Sequence, residues 1–90
     1  MREFEAEIII LHHATLVQKN YQAVMHSGSI RQSTRVLSIT DKEFLRSGEK
    51  GLVRFRFMYH PEFLKQGSTV MFREGRSKGM GMVTRVFQGK

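Results

Sequence analysis

Apolar and polar side chains alternate strictly in two stretches of this 90-residue chain, which restricts the fold to one built from strands. In "EFEAEIIIL", apolar residues fill the even positions from Phe4 to Ile10 and glutamates fill the first three odd positions. In "LVRFRFMY", two arginines alternate with apolar or aromatic residues at odd positions up to Tyr59. A period of two is typical of a half-buried strand, so Phe55, Phe57 and Tyr59 are predicted to face the core.

The rest of the chain continues the pattern of short strands. "YQAVMHSGSIRQSTRVLSI" is either two strands or one strand bent near Ser27-Gly28-Ser29, and "STVMFRE" and "GMGMVTRVF" complete the set. "HHATLVQKN" is interpreted as a loop, "TDKEFLRSGEKG" as a polar connection with one short helical turn, and Pro61 ends the strand before it. Because no segment shows helical periodicity over 10–15 residues, an antiparallel barrel or sandwich is predicted.

Length and composition indicate one globular domain over residues 1–90, and the strands reach so close to both ends that we expect a domain excised from a larger protein. The sequence has no cysteine, which excludes disulfides and thiolate metal sites and fits a cytoplasmic protein. No apolar run approaches the ~20 residues of a membrane span, and no signal peptide precedes the first strand, so no membrane association is predicted.

Charge points to a polyanionic partner. The chain has 15 Lys+Arg against 8 Asp+Glu, a net charge of +7, and residues 31–90 contain thirteen of the basic side chains but only five acidic ones. Such asymmetry favours one positive face and a nucleic acid as its partner. A solvated basic surface, or a face that meets an acidic neighbouring domain, remains an alternative.

The segment "VMFREGRSKGMGMVTRVF" contains three glycines but no nucleotide-binding motif. Gly75 and Gly79 lack the spacing and the following Lys-Ser/Thr of a P-loop, and Thr84 stands where a dinucleotide fingerprint needs glycine. A hairpin is predicted instead, with Gly75 at positive φ and with Gly79 and Gly81 permitting a bend or close packing. Neither motif being present, no cofactor site is expected in this domain.

The charged side chains of this hairpin are candidates for contact with a phosphate backbone. Arg73, Glu74, Arg76 and Lys78 project from or beside the turn, and Arg31 and Arg35 join them as candidates by charge. The predicted nucleic-acid-binding residues are Arg73, Glu74, Gly75, Arg76, Lys78, Arg31 and Arg35.

No catalytic or metal site is predicted. His12 and His13 are adjacent and would point to opposite faces of an extended chain, while His26 and His60 have no carboxylate at ligand spacing. The glutamates of the first strand have no identifiable opposed partner, so a solvated edge or domain-contact face is expected there. Three methionines, Met71, Met80 and Met82, are interpreted as filling core gaps, with a partner-binding surface as the alternative.

Four motifs in order resemble a known family over essentially the whole chain. They are "FEAEIIILHH", "YQAVMH", "LRSGEKGLVRFRF" and "FREGRSKGMGMV", and together they resemble the C-terminal β-barrel, domain III, of translational GTPases of the elongation factor Tu / elongation factor one-alpha superfamily, particularly the eukaryotic GTP-binding protein 1 and 2 subfamily. The resemblance implies a six-stranded antiparallel Greek-key barrel. It also implies a parent chain whose GTPase domain, with its GTP and Mg²⁺, and second barrel lie outside this sequence.

The resemblance also implies partners. In elongation factor Tu the third domain packs against the GTPase domain in the GTP form and touches the T-stem of aminoacyl-tRNA, and the R-E-G turn takes part in that contact. The role therefore carries to Arg73, Glu74 and Gly75, with aminoacyl-tRNA and the ribosome as partners of the parent protein. Two departures stand out: the turn is one residue shorter than in bacterial members, and Val24 occupies the position of a tRNA-contacting glutamine.

The leading hypothesis is a non-catalytic barrel that contacts tRNA and the GTPase domain of its own chain. One alternative is a stand-alone nucleic-acid-binding barrel, although such barrels stack bases on exposed aromatic residues, which the alternation here assigns to the core. The other is a purely structural scaffold between domains.

Overall fold

The computed structural model describes residues 1–12 and 16–87, and every regular element within them is a strand. The strands are β1 (Glu3–His12), β2 (Val17–Gln18), β3 (Gln22–Ser27), β4 (Ile30–Ile39), β5 (Phe44–Leu45), β6 (Lys50–Phe57), β7 (Thr69–Glu74) and β8 (Ser77–Phe87). The described residues include no helix of a length and apolarity suited to crossing a bilayer.

Six of the strands close into an antiparallel barrel in the order β1-β6-β4-β3-β7-β8. Strands β3, β4 and β6 are successive neighbours, and β1 lies beside β6 rather than beside β3, which is the Greek-key arrangement. The barrel closes where β1 pairs with β8. The predicted six-stranded antiparallel barrel is therefore confirmed.

The two short strands were not predicted. β2 falls in the segment interpreted as a loop, and β5 falls where a helical turn was expected; they pair with each other through Val17 and Leu45. Both of these side chains are buried, because they join the main core. Two residues each give too short a stretch for alternation to register.

The core follows the alternation of β1 and β6. Phe4, Phe55 and Phe57 are fully buried, and the Phe4 ring stacks on Phe55 with 5.3 Å between ring centroids. Tyr59 was predicted to join them, and that prediction is wrong: β6 ends at Phe57, and Tyr59 lies beyond the barrel end with 71% of its surface exposed.

The methionine prediction is also wrong for the last two strands. Met71, Met80 and Met82 lie on the outer face of the barrel and are 41%, 41% and 54% exposed. Their places in the alternation of β7 and β8 point outward, since Phe72 and Val83 point inward. These three side chains, called the methionine surface below, do not fill core gaps.

The inward-facing positions of β8 beside Met80 and Met82 are occupied by glycines, Gly79 and Gly81. A Cβ at Gly81 would clash with the backbone carbonyl of Glu7, and one at Gly79 would meet the Phe72 ring at 2.4 Å. Both glycines therefore permit close packing, as predicted: β8 lies directly against β1 and leaves room for the Phe72 ring.

Candidate nucleic-acid interface

The hairpin between β7 and β8 is a tight turn with charged side chains on its outer surface. Arg73 pairs with Lys78 and Glu74 with Ser77, which leaves Gly75 and Arg76 at the tip. Gly75 has φ of 59°, the left-handed conformation that the sequence predicted for it. Arg73, Arg76 and Lys78 are all exposed, so their charges face solvent.

The first recess next to this hairpin, the strand groove, runs over the outer face of β4, β3 and β7. Its volume is about 790 Å³, and Arg31 and Arg73 both line it. They lie on strands either side of β3, because His26 of β3 pairs with Arg31 while Val24 pairs with Arg73. Two inter-strand spacings separate their backbones, roughly 10 Å.

The second recess, the hairpin groove, lies between the hairpin and the end of β1. It has a volume of about 410 Å³, and four basic or imidazole side chains line it: His12, Arg73, Arg76 and Lys78. Arg73 borders both grooves, since it also lines the strand groove. The structure therefore groups four of the five predicted cations: Arg73 and, around it, Arg31, Arg76 and Lys78.

Arg35 is the predicted cation that does not join them. It pairs with Gln22 on one side and with Arg56 on the other, and it lines neither groove. It remains exposed on the outer face of β4, nearer to β6 than to the hairpin. We call Arg31, Arg73, Arg76 and Lys78 the basic surface, and leave Arg35 outside it.

None of these four cations has a carboxylate within ion-pair distance among the residues that the structure describes. Glu74 lines the strand groove as well, but it forms no ion pair there with Arg73 or Arg31. Exposed guanidinium and ammonium groups without an internal partner keep their donors available for an anion. The basic surface can therefore accept phosphate groups without first breaking an ion pair.

Glu74 and Tyr21 lie together at the margin of the strand groove. Burial of the Tyr21 hydroxyl and, second, the nearby charge of Glu74 raise the pKa of Tyr21 to about 12, against a hydrogen bond from Ser77 that lowers it. Tyr21 is consequently a neutral phenol at physiological pH, and Glu74 supplies the negative charge at this margin.

The other pair of arginines on the barrel is neutralised. Arg54 donates to Glu3 at 2.7 Å and Arg56 donates to the second Glu3 oxygen at 2.8 Å. Burial alone would raise the pKa of Glu3, but the hydrogen bonds and charges of Arg54 and Arg56 together outweigh it and hold that pKa below 4.5. The expectation that the β1 glutamates lack an opposed partner is wrong for Glu3.

A signal for this pairing was present in the sequence. Glutamates alternate along β1 and arginines alternate along β6, so antiparallel pairing of the two strands sets opposite charges across from each other. Glu5 finds a different partner, since the Thr84 hydroxyl donates to its carboxylate at 2.7 Å. The neighbouring strand had to be known before either contact could be named.

Metal binding has no support in the described part of the chain. No three His, Asp or Glu side chains in residues 1–12 and 16–87 are grouped in a way that could hold an ion. His13, half of the histidine pair considered from the sequence, lies outside the described residues.

The closed Greek-key barrel, with exposed cations grouped around one hairpin, places the chain in the class of small all-β domains with a basic outer surface. No protein-family model matches the chain. It is 52% identical to GTP-binding protein 2 of Mus musculus and of Homo sapiens over 83 residues, and 46% identical to GTP-binding protein 1 of Xenopus laevis over 86 residues. These alignments cover 92% and 96% of the chain but only 14% and 13% of the relatives.

As its motifs predicted, the chain is homologous to a segment of GTP-binding proteins 1 and 2. It spans about one-seventh of the length of the relatives that it matches, 14% in GTP-binding protein 2. The homology and the closed barrel support a C-terminal domain of a GTP-binding protein.

Proposed function

We propose that this barrel is a non-catalytic C-terminal domain that contacts the tRNA T-stem through the basic surface and the GTPase domain through a second face. The observation that carries the RNA part is the grouping of Arg31, Arg73 and the hairpin cations, which form no ion pair with any residue in 1–12 and 16–87. GTP and Mg²⁺ would be held by a separate domain of the whole protein, which would hydrolyse GTP and act in the cytoplasm with aminoacyl-tRNA and the ribosome.

The geometry suits a nucleic-acid backbone better than a single anion. Arg73 borders two grooves, so cations lie on both sides of it, toward Arg31 in one direction and toward Lys78 in the other. Guanidinium groups bind phosphate oxygens with two parallel hydrogen bonds, and contacts of this kind fix position without reading sequence. A stem recognised by its backbone is the ligand that such a row of cations favours.

The methionine surface supports the interdomain part of the proposal. Met71 pairs with Met80, and Met80 pairs with Ile9 of β1, so apolar side chains adjoin across three strands of the outer face. Flexible thioethers adapt to irregular partner surfaces, and contiguous exposed apolar area marks protein contacts. Since the relatives are several times longer than this chain, another domain of the same protein is the partner that we propose for this surface.

The test is a titration of the chain with aminoacylated and uncharged tRNA at two salt concentrations. We expect salt-sensitive binding to both forms, because a T-stem contact is remote from the aminoacyl end. The Arg73→Ala/Arg76→Ala variant is expected to bind about tenfold more weakly, or roughly 1.4 kcal/mol, with the slope of log K against log salt reduced by about 2.

A matched control removes the same charge elsewhere. Lys19→Ala/Lys42→Ala deletes two exposed cations that line neither the strand groove nor the hairpin groove. Equal loss in both double variants would reduce the effect to net charge and contradict a specific tRNA contact. Absence of binding by the wild type even at low salt would favour the purely structural role between domains.

A further inference from the structure

We infer that a third recess, beside Phe63, accepts one unpaired base of an RNA strand that lies on the basic surface. The inference rests on the proposed RNA contact and adds to it a second kind of recognition, stacking of a base on an aromatic ring. Phe63 is 84% exposed, the most exposed large apolar side chain of the described residues. The site lies at the opposite end of the barrel from the hairpin tip.

The recess, called the Phe63 groove, has a volume of about 480 Å³. One wall is the segment that contains Phe63 and Lys65, and the other is the turn between β3 and β4. Ser29, Ser68 and Thr69 place hydroxyl-bearing side chains along it. None of the described residues that line it carries a carboxylate, so the one charge there, on Lys65, favours an anionic ligand.

These are the elements that bind a base in single-stranded RNA. An aromatic face stacks on any base, hydroxyl groups donate to or accept from its polar edge, and a cation neutralises the adjoining phosphate. An apolar peptide would use the ring but would gain nothing from Lys65. A nucleotide uses both, which is why we assign the groove to RNA.

The segment that carries Phe63 is anchored from the core side by Gln32, which is 5% exposed. The Gln32 Oε1 accepts from the backbone N–H groups of Tyr59 and His60 at 2.8 and 3.0 Å, and its Nε2 donates to Glu62 Oε2 at 2.6 Å. Backbone bonds between Met1 and Glu62 tie the segment to the start of β1. A ring displayed on a fixed backbone loses little conformational entropy when it binds.

The Phe63 groove and the strand groove adjoin along β3 and β4. Ser27 and Ile30 line the first, whereas their immediate neighbours His26 and Arg31 line the second. Because successive residues of a strand face opposite sides of the sheet, an RNA strand with its phosphates on Arg31 reaches the Phe63 groove by passing over the end of the β3–β4 hairpin. This continuity connects the two kinds of contact in one path over the surface.

The chain contains no tryptophan, so Phe63→Trp introduces a single fluorescent reporter at the site. We would titrate this variant with a ten-nucleotide single-stranded RNA and with a blunt RNA duplex of the same length. The expected result is quenching of the tryptophan by the single strand and none by the duplex, because only an unpaired base can stack on the indole.

Phe63→Ala is expected to weaken single-strand binding at least fivefold and to leave duplex binding unchanged, while Phe63→Trp keeps single-strand affinity. Tyr59→Ala is the matched control, since Tyr59 is an exposed aromatic residue close in sequence that does not line the groove. Unaltered melting temperatures would show that both variants fold.

Three results would overturn the inference, and they are distinguishable from one another. If Arg73→Ala/Arg76→Ala loses tRNA binding but Phe63→Ala binds the single strand as tightly as the wild type, the proposed function stands and the base site is refuted. If the wild type binds neither the single strand nor the duplex, both proposals fail together. Equal loss with Phe63→Ala and Tyr59→Ala would also refute a specific groove.

Discussion

The barrel carries two pairs of arginines whose members lie close together in the sequence. In the described structure, only one of the two pairs binds a carboxylate. Arg54 and Arg56 converge on the carboxylate of Glu3, and Arg54 also lies over the Phe87 ring at 3.7 Å from its centroid. Arg73 and Arg76 have no such partner in the described structure and line the hairpin groove. Basic composition alone therefore does not locate a binding surface. What locates it is which basic side chains have no ion-pair partner among the described residues.

Arg54 and Arg56 both bind Glu3 of β1, and disturbing the close approach of β1 to β8 gives the largest expected effect. In Gly81→Ala the new Cβ would collide with the Glu7 carbonyl, so β1 and β8 must separate. We expect a loss of about 3 kcal/mol in the free energy of unfolding, as for an overpacked core position. Denaturant unfolding measures it.

Gly28→Ala provides a comparison for that experiment. Gly28 has open space around its missing Cβ but a positive φ of 59°, so the only cost is backbone strain. We expect about 1 kcal/mol. A Gly81→Ala variant no less stable than Gly28→Ala would contradict the close approach of β1 to β8.

Replacing each arginine pair with alanine, one pair at a time, tests the comparison directly. Arg54→Ala/Arg56→Ala leaves the Glu3 carboxylate without its donors, so we expect a loss of about 1–2 kcal/mol of stability with tRNA binding little changed. Arg73→Ala/Arg76→Ala should show the reverse, weaker tRNA binding with unchanged stability. Thermal unfolding and the tRNA titration, applied to both variants, test the pattern; identical behaviour of the two would refute the distinction.

The smallest expected effect is the pH dependence of the stability that the ion pairs of Glu3 contribute. Because the pKa of Glu3 is held below 4.5 in the folded chain, its ion pairs contribute stability above pH 4.5 that is lost as pH falls through the lowered pKa. Glu3→Gln should therefore be less stable than wild type at pH 7, by about 1 kcal/mol or less since the arginines are partly exposed. The difference should become smaller as the pH falls below 4.5 toward pH 3.

Urea unfolding of wild type and Glu3→Gln at both pH values measures that change. A stability difference that stays constant from pH 7 to pH 3 would show that the glutamine disturbs packing rather than charge. A variant as stable as the wild type at both values would show that Arg54 and Arg56 are not held by Glu3.

Alternation in the sequence predicted the inward positions of β1 and β6 correctly, but it predicted neither where β6 ends nor which face of β8 points inward. Phe55 and Phe57 are buried as expected, but the same period placed Tyr59 inside because it does not show where the barrel ends. Likewise, Met80 and Met82 alternate with glycines, and only the register showed that the small residues face inward. Exposure of Tyr59 also weakens the argument from buried aromatics against a stand-alone nucleic-acid-binding barrel.

Only part of the candidate site was predicted from the sequence, because the rest depends on which strands lie side by side. Neighbours on one hairpin, such as Arg73 and Lys78, can be grouped from sequence because a tight turn sets them opposite each other. Arg31 and Arg35 are equally basic, yet only Arg31 lines the strand groove with Arg73. That choice depends on β3 lying between β4 and β7, which is a property of topology and not of local pattern.

The closure of the barrel has a consequence for how the domain forms. Strand β1 completes its pairing with β8, so contacts such as Phe4 with Val86 join residues more than eighty positions apart. Loop-closure entropy must be overcome before such distant pairs contribute, which slows folding to the millisecond-to-second range typical of barrels rich in non-local contacts. During synthesis, β1 therefore waits with one edge unpaired until the last strand has left the ribosomal exit tunnel.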